Sequence, residues 1–282
     1  MQYGQMIPAH DLISPRVAIV TGGARGLGRV MALALRAAGY AVTITASAPS
    51  EHLDSTVRDA AALPGGDELL LPLIADAADP ASAEDVVART LDTFGGLHAI
   101  VNNAGRGMRV ISETFNTEPV HFWDVPTEAW AGIVATNVTG PFLLAKASMP
   151  HFLARGTGRI VNVSTSAITM TRRGYAPYGP TKAALEAMSR SWAEDLAGSG
   201  ITVNVLLPGG AADTDLLPAG PDKRGADGQL LDPAIMGPPA VWLCSAESSG
   251  TTGERFVAKA WDASMPAEVA AAGARSAHVV AP

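Results

Sequence analysis

The 282-residue chain is 48% hydrophobic and 17% charged, which is typical of a globular protein and excludes a largely disordered one. Its formal net charge of −7 argues against a general nucleic-acid or anionic-membrane binder. The only cysteine, Cys244, excludes an intramolecular disulfide, and its apolar neighbours predict a place in the core.

The start of the chain, MQYGQMIPAHDLISP, has neither the basic nor the apolar segment of a signal peptide. The chain also has no apolar run of membrane-spanning length, which is about 18 residues. We therefore expect a cytoplasmic protein without a membrane or nucleic-acid partner. His121 and His151 lack metal-ligand spacing with other candidate ligands, so we expect no metal site.

Strands and helices alternate along the chain. Short apolar runs rich in β-branched residues predict strands, and apolar residues at helical spacing predict helices. The predicted strands are VAIVT (17–21), AVTITA (41–46), ELLLPLIAD (68–76), LHAIVNNAG (97–105), GRIVNVS (158–164) and ITVNVLLPGG (201–210). The predicted helices are 27–40, 51–62, 82–96, 126–155 and 178–197.

The predicted strands are apolar on both faces, which is typical of a parallel sheet covered by helices on each side. Right-handed crossovers then give an α/β, Rossmann-type doubly wound sheet. No break in composition divides the chain, so we expect one domain over 15–262, with peripheral arms at 1–14 and 263–282. Residues 209–233, rich in Gly, Pro and Asp, predict a substrate lid or a disordered segment.

A glycine-rich turn, TGGARGLG (21–28), lies between the first strand and the first helix. Its useful glycines, Gly22, Gly26 and Gly28, would allow a tight turn, a close backbone approach to a pyrophosphate and close helix–strand packing. The helix N-terminus would offer amide groups and a positive dipole end to the phosphates. Because this pattern follows a strand and opens a helix, it predicts dinucleotide binding.

The end of the second strand bears on the choice of dinucleotide. A carboxylate there would bind the ribose 2′-hydroxyl and repel a 2′-phosphate. Here the strand ends in Ala46 and Ser47, and no acid follows until Glu51. Arg25, inside the glycine turn, is available as a phosphate partner. The sequence therefore favours NADP(H), with NAD(H) possible and a solvated Arg25 as the alternative.

The stretch YAPYGPTKAALEA (175–187) contains a tyrosine, Tyr178, and a lysine, Lys182, at the start of a predicted helix. Residues four apart share one helix face, so the phenol and the ammonium would lie one turn apart. A nearby ammonium favours the phenolate. The spacing indicates an acid–base pair, with a chance surface contact as the alternative.

Five motifs in this order resemble the single-domain branch of the short-chain dehydrogenase/reductase superfamily over about residues 15–262. They are TGGARGLG (21–28), NNAG (102–105), Asn137 in VATNVTG, YGPTK (178–182) and LLPGG (206–210) preceded by Asn204. The resemblance implies a seven-stranded parallel sheet, with a helix over 239–245 and a seventh strand at RFVAKA (255–260). It also implies nicotinamide binding and hydride transfer between a carbonyl and an alcohol carbon.

The resemblance assigns roles to individual residues. Tyr178 would be the general acid in reduction and the base in oxidation. Lys182 would hold the nicotinamide ribose, and Asn137 would bend its helix and seat a water in a proton relay to Lys182. The implied cofactor-binding residues are Gly22, Arg25, Gly26, Leu27, Gly28, Ala46, Ser47, Asp76, Asn103, Ala104, Gly105, Tyr178, Lys182, Pro208, Gly209 and Thr214.

The hydroxyl that would bind the carbonyl oxygen is ambiguous. The spacing usual in the family, 13 residues before the tyrosine, is occupied by Thr165. A loop one residue shorter would place Ser166 there, and we favour Ser166 slightly while keeping Thr165. Either residue, or Ser164, could instead satisfy the local backbone at a strand end.

Two departures from the family pattern concern the pocket. The family commonly has a threonine five residues after the proline of LLPGG, but here Asp213 occupies that position and Thr214 follows it. The contact of Thr214 with the nicotinamide amide is therefore less secure. The segment 106–125 is longer than the usual link and would either wall the substrate pocket or pack on the surface.

The sequence thus predicts an NADP(H)-dependent oxidoreductase acting on a small carbonyl or alcohol substrate, assembled as a homotetramer or homodimer. The alternatives are an NAD-linked polyol or hydroxy-acid dehydrogenase and a catalytically silent dinucleotide-binding regulator. The intact set of Tyr178, Lys182, Asn137 and a hydroxyl favours an enzyme, since a pure binder gains nothing from keeping it.

Overall fold

The computed structural model describes residues 15–220, 223–225 and 228–279, so the arm expected at 1–14 lies outside the described residues. The strands within them are β1 (Val17–Val20), β2 (Ala41–Ala46), β3 (Leu70–Ile74), β4 (Ala99–Asn102), β5 (Gly158–Val163), β6 (Ile201–Leu207), β7 (Arg255–Val257) and β8 (Arg275–Ser276). The α-helices are α1 (Gly26–Ala37), α2 (Glu51–Ala61), α3 (Pro80–Phe94), α4 (Thr127–Val134), α5 (Gly140–Arg155), α6 (Ala167–Met170), α7 (Tyr178–Asp195), α8 (Gly237–Cys244) and α9 (Ala267–Ala274).

The strands form one sheet in the order β3-β2-β1-β4-β5-β6-β7-β8. Strands β1 to β7 are parallel, and β8 runs antiparallel to β7. The strand order reverses between β1 and β4, which is the switch point where α/β sheets bind ligands at the carboxyl ends of their strands. The doubly wound parallel sheet predicted from the sequence is confirmed, with β8 as an added strand.

Both faces of the sheet are buried by helices. Successive side chains of a strand point to opposite faces, so each strand contributes to both sides of the core. In β1, Ala18 and Val20 pack in a cluster with α1 and α8, whereas Ile19 packs in a second cluster with α3, α5 and α7. Cys244 is buried in the first cluster. The apolar strands therefore divide the core into two helical layers.

The helix predicted over 126–155 is interrupted. A π-helical turn, Ala135–Thr139, separates α4 from α5 and contains the buried Asn137. Single π-helical turns inside helices are frequent at functional sites. The resemblance implied a bend at this asparagine, and the structure has a π-helical turn there, a change of hydrogen bonding that the continuous helical pattern did not indicate.

Residues 263–279, part of the segment expected to be a peripheral arm, belong to the folded domain. Helix α9 buries Ala270, Ala271 and Ala274, and β8 pairs with β7 in a register that joins Arg255 to Ser276. The described domain therefore extends past the expected boundary. The predicted strand 255–260 is shorter than expected, because a 3₁₀ turn begins at Ala258.

The described part of the segment 209–233 folds back toward the carboxyl edge of the sheet. Ala212 and Leu231 form an isolated parallel bridge, and the Asp213 amide donates to the Leu231 carbonyl at 2.9 Å. We call the described residues of this segment the lid. In the described part of the chain, no helix is both long and apolar enough to cross a bilayer.

Candidate active site

The glycine turn is tied to the end of β4 by a small hydrogen-bond network. The Thr21 hydroxyl accepts the amides of Asn103 and Ala104, both at 3.0 Å. The side-chain nitrogen of Asn103, Nδ2, donates to the Thr21 carbonyl at 2.9 Å. The network fixes the two strand ends that flank the switch point.

The glycines of this turn are required by backbone geometry. Gly22 and Gly26 have φ of +64° and +55°, a region that side chains strongly disfavour. A Cβ at Gly28 would lie 2.2 Å from the Gly22 carbonyl oxygen, so only glycine fits there. The sequence expectation for these glycines agrees with this geometry.

The N-terminus of α1 is suited to an anion. Arg25 makes no capping hydrogen bond with its side chain, and no acid occupies the first turn, which contains Leu27. The first amides of a helix have no partner within it. The amides and the positive end of the helix dipole therefore fit a phosphate. By donor set and shape, this turn fits the dinucleotide that the sequence predicted.

A cavity beside this turn continues toward the second and third strands. Its lining includes Thr21, Thr45, Asp76 and Ala104. The Asp76 carboxylate accepts the Ala78 amide at 3.0 Å. Asp76 and Ala104, both predicted cofactor residues, thus lie together at the carboxyl edge of the sheet.

Strand β2 ends at Ala46, as the sequence predicted, and Ser47 after it is exposed. Arg25, the proposed phosphate partner, forms an ion pair within the protein. Its guanidinium lies 3.3 Å from the Asp215 carboxylate of the lid, and the His52 ring nitrogen lies 3.5 Å from the same carboxylate. Asp215 and His52 were not singled out by sequence reasoning, since no motif contains them.

The lid packs on the site at two further points. A Cβ built on Gly26 would lie 3.2 Å from the Thr214 methyl carbon. A Cβ built on Gly107 would lie 2.8 Å from a methyl carbon of Leu216. Thr214 therefore lies directly over the glycine turn. Asp213, at the spacing of the family's threonine, instead pairs with Lys223 at 2.6 Å.

The backbone at the start of the lid is fixed by β7. The Pro208 carbonyl accepts the Lys259 amide at 3.1 Å. Gly209 has φ of +88°, and a Cβ there would lie 2.4 Å from a Val257 methyl carbon. The predicted cofactor residues Pro208 and Gly209 thus turn the chain away from the end of β6.

Tyr178 begins α7 and is 8% exposed. It packs in an apolar cluster with Met108, Phe115 and Tyr175. Burial raises the pKa of the Tyr178 phenol to about 12, although a hydrogen bond with the Thr165 side chain opposes the rise. The protein therefore holds Tyr178 as a neutral phenol at neutral pH, which differs from the phenolate expected beside an ammonium.

Lys182 lies one turn further along α7 and is also buried. Its ammonium donates to the Val163 carbonyl at the end of β5, at 2.8 Å. Burial lowers the pKa of Lys182 to about 8, and the negative charge of Glu186 acts against this drop. The lysine is thus held beside Tyr178 with a proton that it can lose in mildly alkaline solution.

Asn137 joins the π-helical turn to the loop after β4. Its side-chain oxygen accepts the Arg106 amide at 2.8 Å, and its nitrogen donates to the Arg106 carbonyl at 3.0 Å and to the Thr181 hydroxyl at 3.1 Å. A Cβ placed on Gly105 would lie 3.5 Å from the Asn137 oxygen and 3.7 Å from the Lys182 ammonium. Asn137, Gly105 and Lys182 therefore converge.

The three candidate hydroxyls after β5 have different partners. Thr165 bonds to Tyr178. Ser166, the residue favoured from the sequence, caps the short helix α6 by accepting the Thr169 amide at 3.3 Å, and its hydroxyl also bonds to that of Thr169. The buried Ser164 hydroxyl has no hydrogen-bond partner among the described residues. The structure thus brings Thr165 to the phenol and uses Ser166 for capping.

The long segment 106–125 divides into two parts. Met108 and Phe115 are buried against Tyr178, whereas Phe122 and Trp123 are 68% and 66% exposed. One part of the segment therefore packs in the core beside Tyr178, and the other carries exposed aromatic side chains.

Sequence reasoning missed a buried ion pair behind the site. The Arg255 Nε donates to both carboxylate oxygens of Glu186, at 3.0 and 3.1 Å. Glu186 lies one turn after Lys182, a signal that could have been read from the helix pattern, but nothing near Arg255 in the sequence indicates its partner. No group of three or more potential metal ligands occurs among the described residues.

Comparisons with known proteins agree with this geometry. The family model for short chain dehydrogenases matches residues 16–224. The dehydrogenase LinX of Sphingobium indicum, which acts on 2,5-dichloro-2,5-cyclohexadiene-1,4-diol, is 33% identical over 247 residues, 86% of this chain and 93% of that protein.

Two solved structures are also similar. A short chain dehydrogenase from Burkholderia cenocepacia in complex with NADP has a TM-score of 0.74 and 28% identity, covering 87% of this chain and 96% of its own. A 3-ketoacyl-(acyl-carrier-protein) reductase from Brucella melitensis complexed with NADH has a TM-score of 0.73 and 29% identity, covering 86% and 96%. The chain belongs to the short-chain dehydrogenase/reductase family of oxidoreductases.

Proposed function

We propose that the protein is an NADP(H)-dependent oxidoreductase that interconverts a ketone or aldehyde and an alcohol, with Tyr178 as the general acid or base. The contact of the Tyr178 phenol with the Thr165 hydroxyl, one helical turn from Lys182, carries this proposal. This contact supports a site in which one carbonyl oxygen would meet both a proton donor and a second hydroxyl.

The nicotinamide, when bound, supplies or accepts the hydride. Tyr178 donates its proton to the substrate oxygen during reduction. Because burial raises the pKa of Tyr178 to about 12, the phenol is fully protonated at neutral pH and ready to act as an acid. In oxidation the phenolate would accept the proton of the alcohol.

Thr165 and Lys182 would assist this proton transfer. Thr165 donates a hydrogen bond to the substrate oxygen and orients it toward Tyr178. Lys182, protonated below its pKa of about 8, is the cation closest along α7 to the phenol. Asn137 bonds to the backbone of Arg106 and so holds the loop after β4 close to Lys182, where a proton relay would run in this proposal.

The residues that would hold the dinucleotide lie along one edge of the sheet. The glycine turn and the N-terminus of α1 would bind the phosphates. The cavity lined by Asp76 and Ala104 would bind the edge of a ring of the dinucleotide. Lys182 contacts the nicotinamide ribose in this proposal. Of the two similar structures described above, one was solved with NADP and the other with NADH.

The preference for NADP(H) is supported by the end of β2, where Ala46 and Ser47 offer no carboxylate to repel a 2′-phosphate. Arg25 and His52 approach the same carboxylate of Asp215, so this place already accommodates negative charge. A 2′-phosphate would replace Asp215 as the partner of Arg25. The 2′-phosphate must first break the exposed ion pair of Arg25 with Asp215, which costs little free energy. The preference for NADP(H) over NAD(H) is reduced by that small amount.

The substrate proposed here is apolar next to its carbonyl group. Met108, Phe115 and Tyr175 pack around Tyr178, and Ile111 and Leu217 extend this apolar wall. A ketone with a ring or an alkyl chain would bury apolar area against these side chains. LinX and the ketoacyl reductase, the relatives described above, act on a ring diol and on an acyl chain respectively.

The function is tested by following NADPH oxidation at pH 7 with a panel of cyclic ketones, alkyl ketones and aldehydes. NADH is assayed in parallel with the same substrates. We expect turnover of at least one apolar ketone, and faster reaction with NADPH. Tight binding of NADPH without turnover of any member would favour the silent binding protein instead, and better turnover of polyols with NAD would favour the NAD-linked dehydrogenase.

We further propose a homotetramer, or a homodimer, formed through α4, α5 and α7. Large apolar side chains remain exposed on the first two of these helices: Trp130, Phe142 and Leu153. Contiguous exposed apolar area on a monomer marks an interaction surface. Light scattering should give a mass of two or four chains, and Phe142→Glu should lower it. A monomer at working concentration would contradict this.

A further inference from the structure

The guanidinium of Arg255 is held on every side by polar groups of the protein interior. Besides its two bonds to Glu186, Nη1 donates to the Ser276 hydroxyl at 2.7 Å and Nη2 to the Thr165 carbonyl at 3.1 Å. The side chains of Arg255 and Glu186 are 7% and 1% exposed. One side chain therefore joins β7, α7, β8 and the residue that contacts Tyr178.

A buried ion pair is weak evidence for a stabilising role. Removing two charges from water costs several kcal/mol for each, and apolar residues of the same volume are often as stabilising. The place of this pair is more informative than its charge, because Glu186 follows Lys182 by one helical turn and Arg255 bonds to the backbone of Thr165.

We propose that Arg255 and Glu186 are positioning residues for the reaction: Arg255 fixes the backbone of Thr165 so that its hydroxyl meets Tyr178, and Glu186 keeps a negative charge beside Lys182. This inference rests on the proposed function. The geometry separates the two roles, because Arg255 reaches the hydroxyl-bearing segment and Glu186 shares a helix face with the lysine.

The groups around Lys182 define what Glu186 can do. Glu186 lies one turn from Lys182 on α7 and acts on it by its charge, and Arg255 on β7 pairs with Glu186. Tyr178 lies one turn before Lys182 on the same helix. Strand β5 contributes the Val163 carbonyl, and the π-helical turn contributes a neutral amide. Glu186 opposes the effect of burial on the pKa of Lys182 and so helps to keep the lysine protonated at neutral pH.

The inference also gives the C-terminal strand a role. Ser276 in β8 accepts a hydrogen bond from Arg255 on the side away from Thr165. Three bonded directions fix a planar guanidinium far more closely than one. Strand β8 therefore supports the site through Arg255, although it contributes no group to the substrate pocket.

The first experiment compares Arg255→Lys with Arg159→Lys in the full-length protein. Arg159 is a matched control, since it is a buried arginine bonded to the backbone at the other end of β5. The single ammonium introduced by Arg255→Lys keeps the positive charge beside Glu186 but cannot also donate to the Thr165 carbonyl. We expect kcat to fall about tenfold in Arg255→Lys with an unchanged KM for NADPH, because a misplaced catalytic group lowers turnover. Arg159→Lys should keep the wild-type kcat.

The second experiment measures the titration of Lys182 without any turnover. The chain has four lysines, so ¹³C-lysine NMR resolves them and the Lys182→Met spectrum assigns the signal. Glu186→Gln should lower the titration midpoint of Lys182 by about half a pH unit or more, because a negative charge is lost. Arg255→Met should raise it, because Glu186 loses its neutralising partner. A purely structural role predicts no such opposite shifts.

The two results decide the two roles separately. Wild-type kcat in Arg255→Lys overturns the role of Arg255, and equal midpoints in Glu186→Gln and the wild type overturn that of Glu186. If single variants do not fold, the double variant Glu186→Met/Arg255→Met removes both charges of the ion pair together. It should fold with a lower kcat and with a lower midpoint, because Glu186 is the charge that acts on Lys182. An inactive wild type would refute the proposed function alone, since the NMR titration would still be measured.

Discussion

The two sides of the candidate site hold their polar groups in different ways. On the α7 side, Tyr178, Lys182 and Glu186 are almost fully buried, and their partners belong to β5, the loop after it and β7. On the lid side, Arg25 and Asp215 are 60% and 41% exposed and pair across a surface.

This difference indicates a division of labour. Buried hydrogen bonds fix geometry and shift pKa values, which suits a proton transfer. Exposed ion pairs contribute little free energy and are screened by salt, so they can exchange partners as a ligand enters and leaves. Substitutions on the buried side should therefore affect turnover, and those on the exposed side should affect cofactor binding.

The largest effect is expected for Tyr178→Phe on the buried side. The phenyl ring keeps the apolar contacts with Met108 and Phe115, so folding and NADPH affinity should be retained. Turnover should fall about 10²-fold or more, because the proton donor is lost. Steady-state kinetics and circular dichroism measure both effects. Turnover close to that of the wild type in a folded variant would refute the assignment of the acid.

The next effect separates Thr165 from Ser166. Thr165→Val keeps the shape and removes the hydroxyl that contacts Tyr178, so kcat should fall about 10²-fold, as for the loss of one donor to a reacting oxygen. Ser166→Ala should keep most activity and lose about 1 kcal/mol of stability, because it removes a helix cap. A larger loss of kcat in Ser166→Ala would restore the interpretation favoured by the sequence.

On the exposed side, Arg25→Ala should weaken NADPH binding about tenfold, since a charge-assisted hydrogen bond to the 2′-phosphate is lost. NADH affinity should not change. Asp215→Asn should instead tighten NADPH, because Arg25 no longer has a competing partner. Arg58→Ala is the matched control, an exposed arginine on α2 that pairs with Glu51. Dissociation constants by fluorescence titration decide this, and equal wild-type affinities for both cofactors would contradict the proposed preference.

The smallest effect concerns stability and its pH dependence. Burial lowers the pKa of Lys182 from 10.5 to about 8, so the folded protein loses a proton that the unfolded chain still holds between these values. Stability of the wild type should therefore rise as the pH increases from 8 to 10.5.

Lys182→Met removes this cost. At pH 7 the variant should be more stable than the wild type by about 1–2 kcal/mol, after allowing for the lost bond to the Val163 carbonyl. The difference should shrink above pH 8. Urea denaturation at several pH values measures it, and Lys146→Met is the control. A variant less stable than the wild type at pH 7 would show that the buried ammonium is not costly.

Local patterns in the sequence were sufficient for most of the fold. The strand β2, the glycine turn and the pair of Tyr178 and Lys182 each depend on residues close together in the chain, and the structure places them as predicted. Apolar strands and helical spacing likewise predicted the two helical layers around one sheet.

The missed features depend on contacts between distant residues. The π-helical turn at Asn137 depends on the backbone of Arg106, and the choice of Thr165 over Ser166 depends on which of two adjacent hydroxyls caps α6. Arg255 meets Glu186 only because β7 follows β6 in the sheet. Periodicity and motif spacing contain no information on such pairings.

The two edges of the sheet are protected from pairing with other molecules. At one edge, β3 contains Pro72, which has no amide hydrogen to donate to an added strand. At the other edge, the short antiparallel strand β8 covers Arg255 and Phe256 of β7. Exposed strand edges are templates for aggregation, and short or proline-containing edges prevent it. Copies of this chain should therefore associate through their helices, and loss of β8 would expose an aggregation-prone edge.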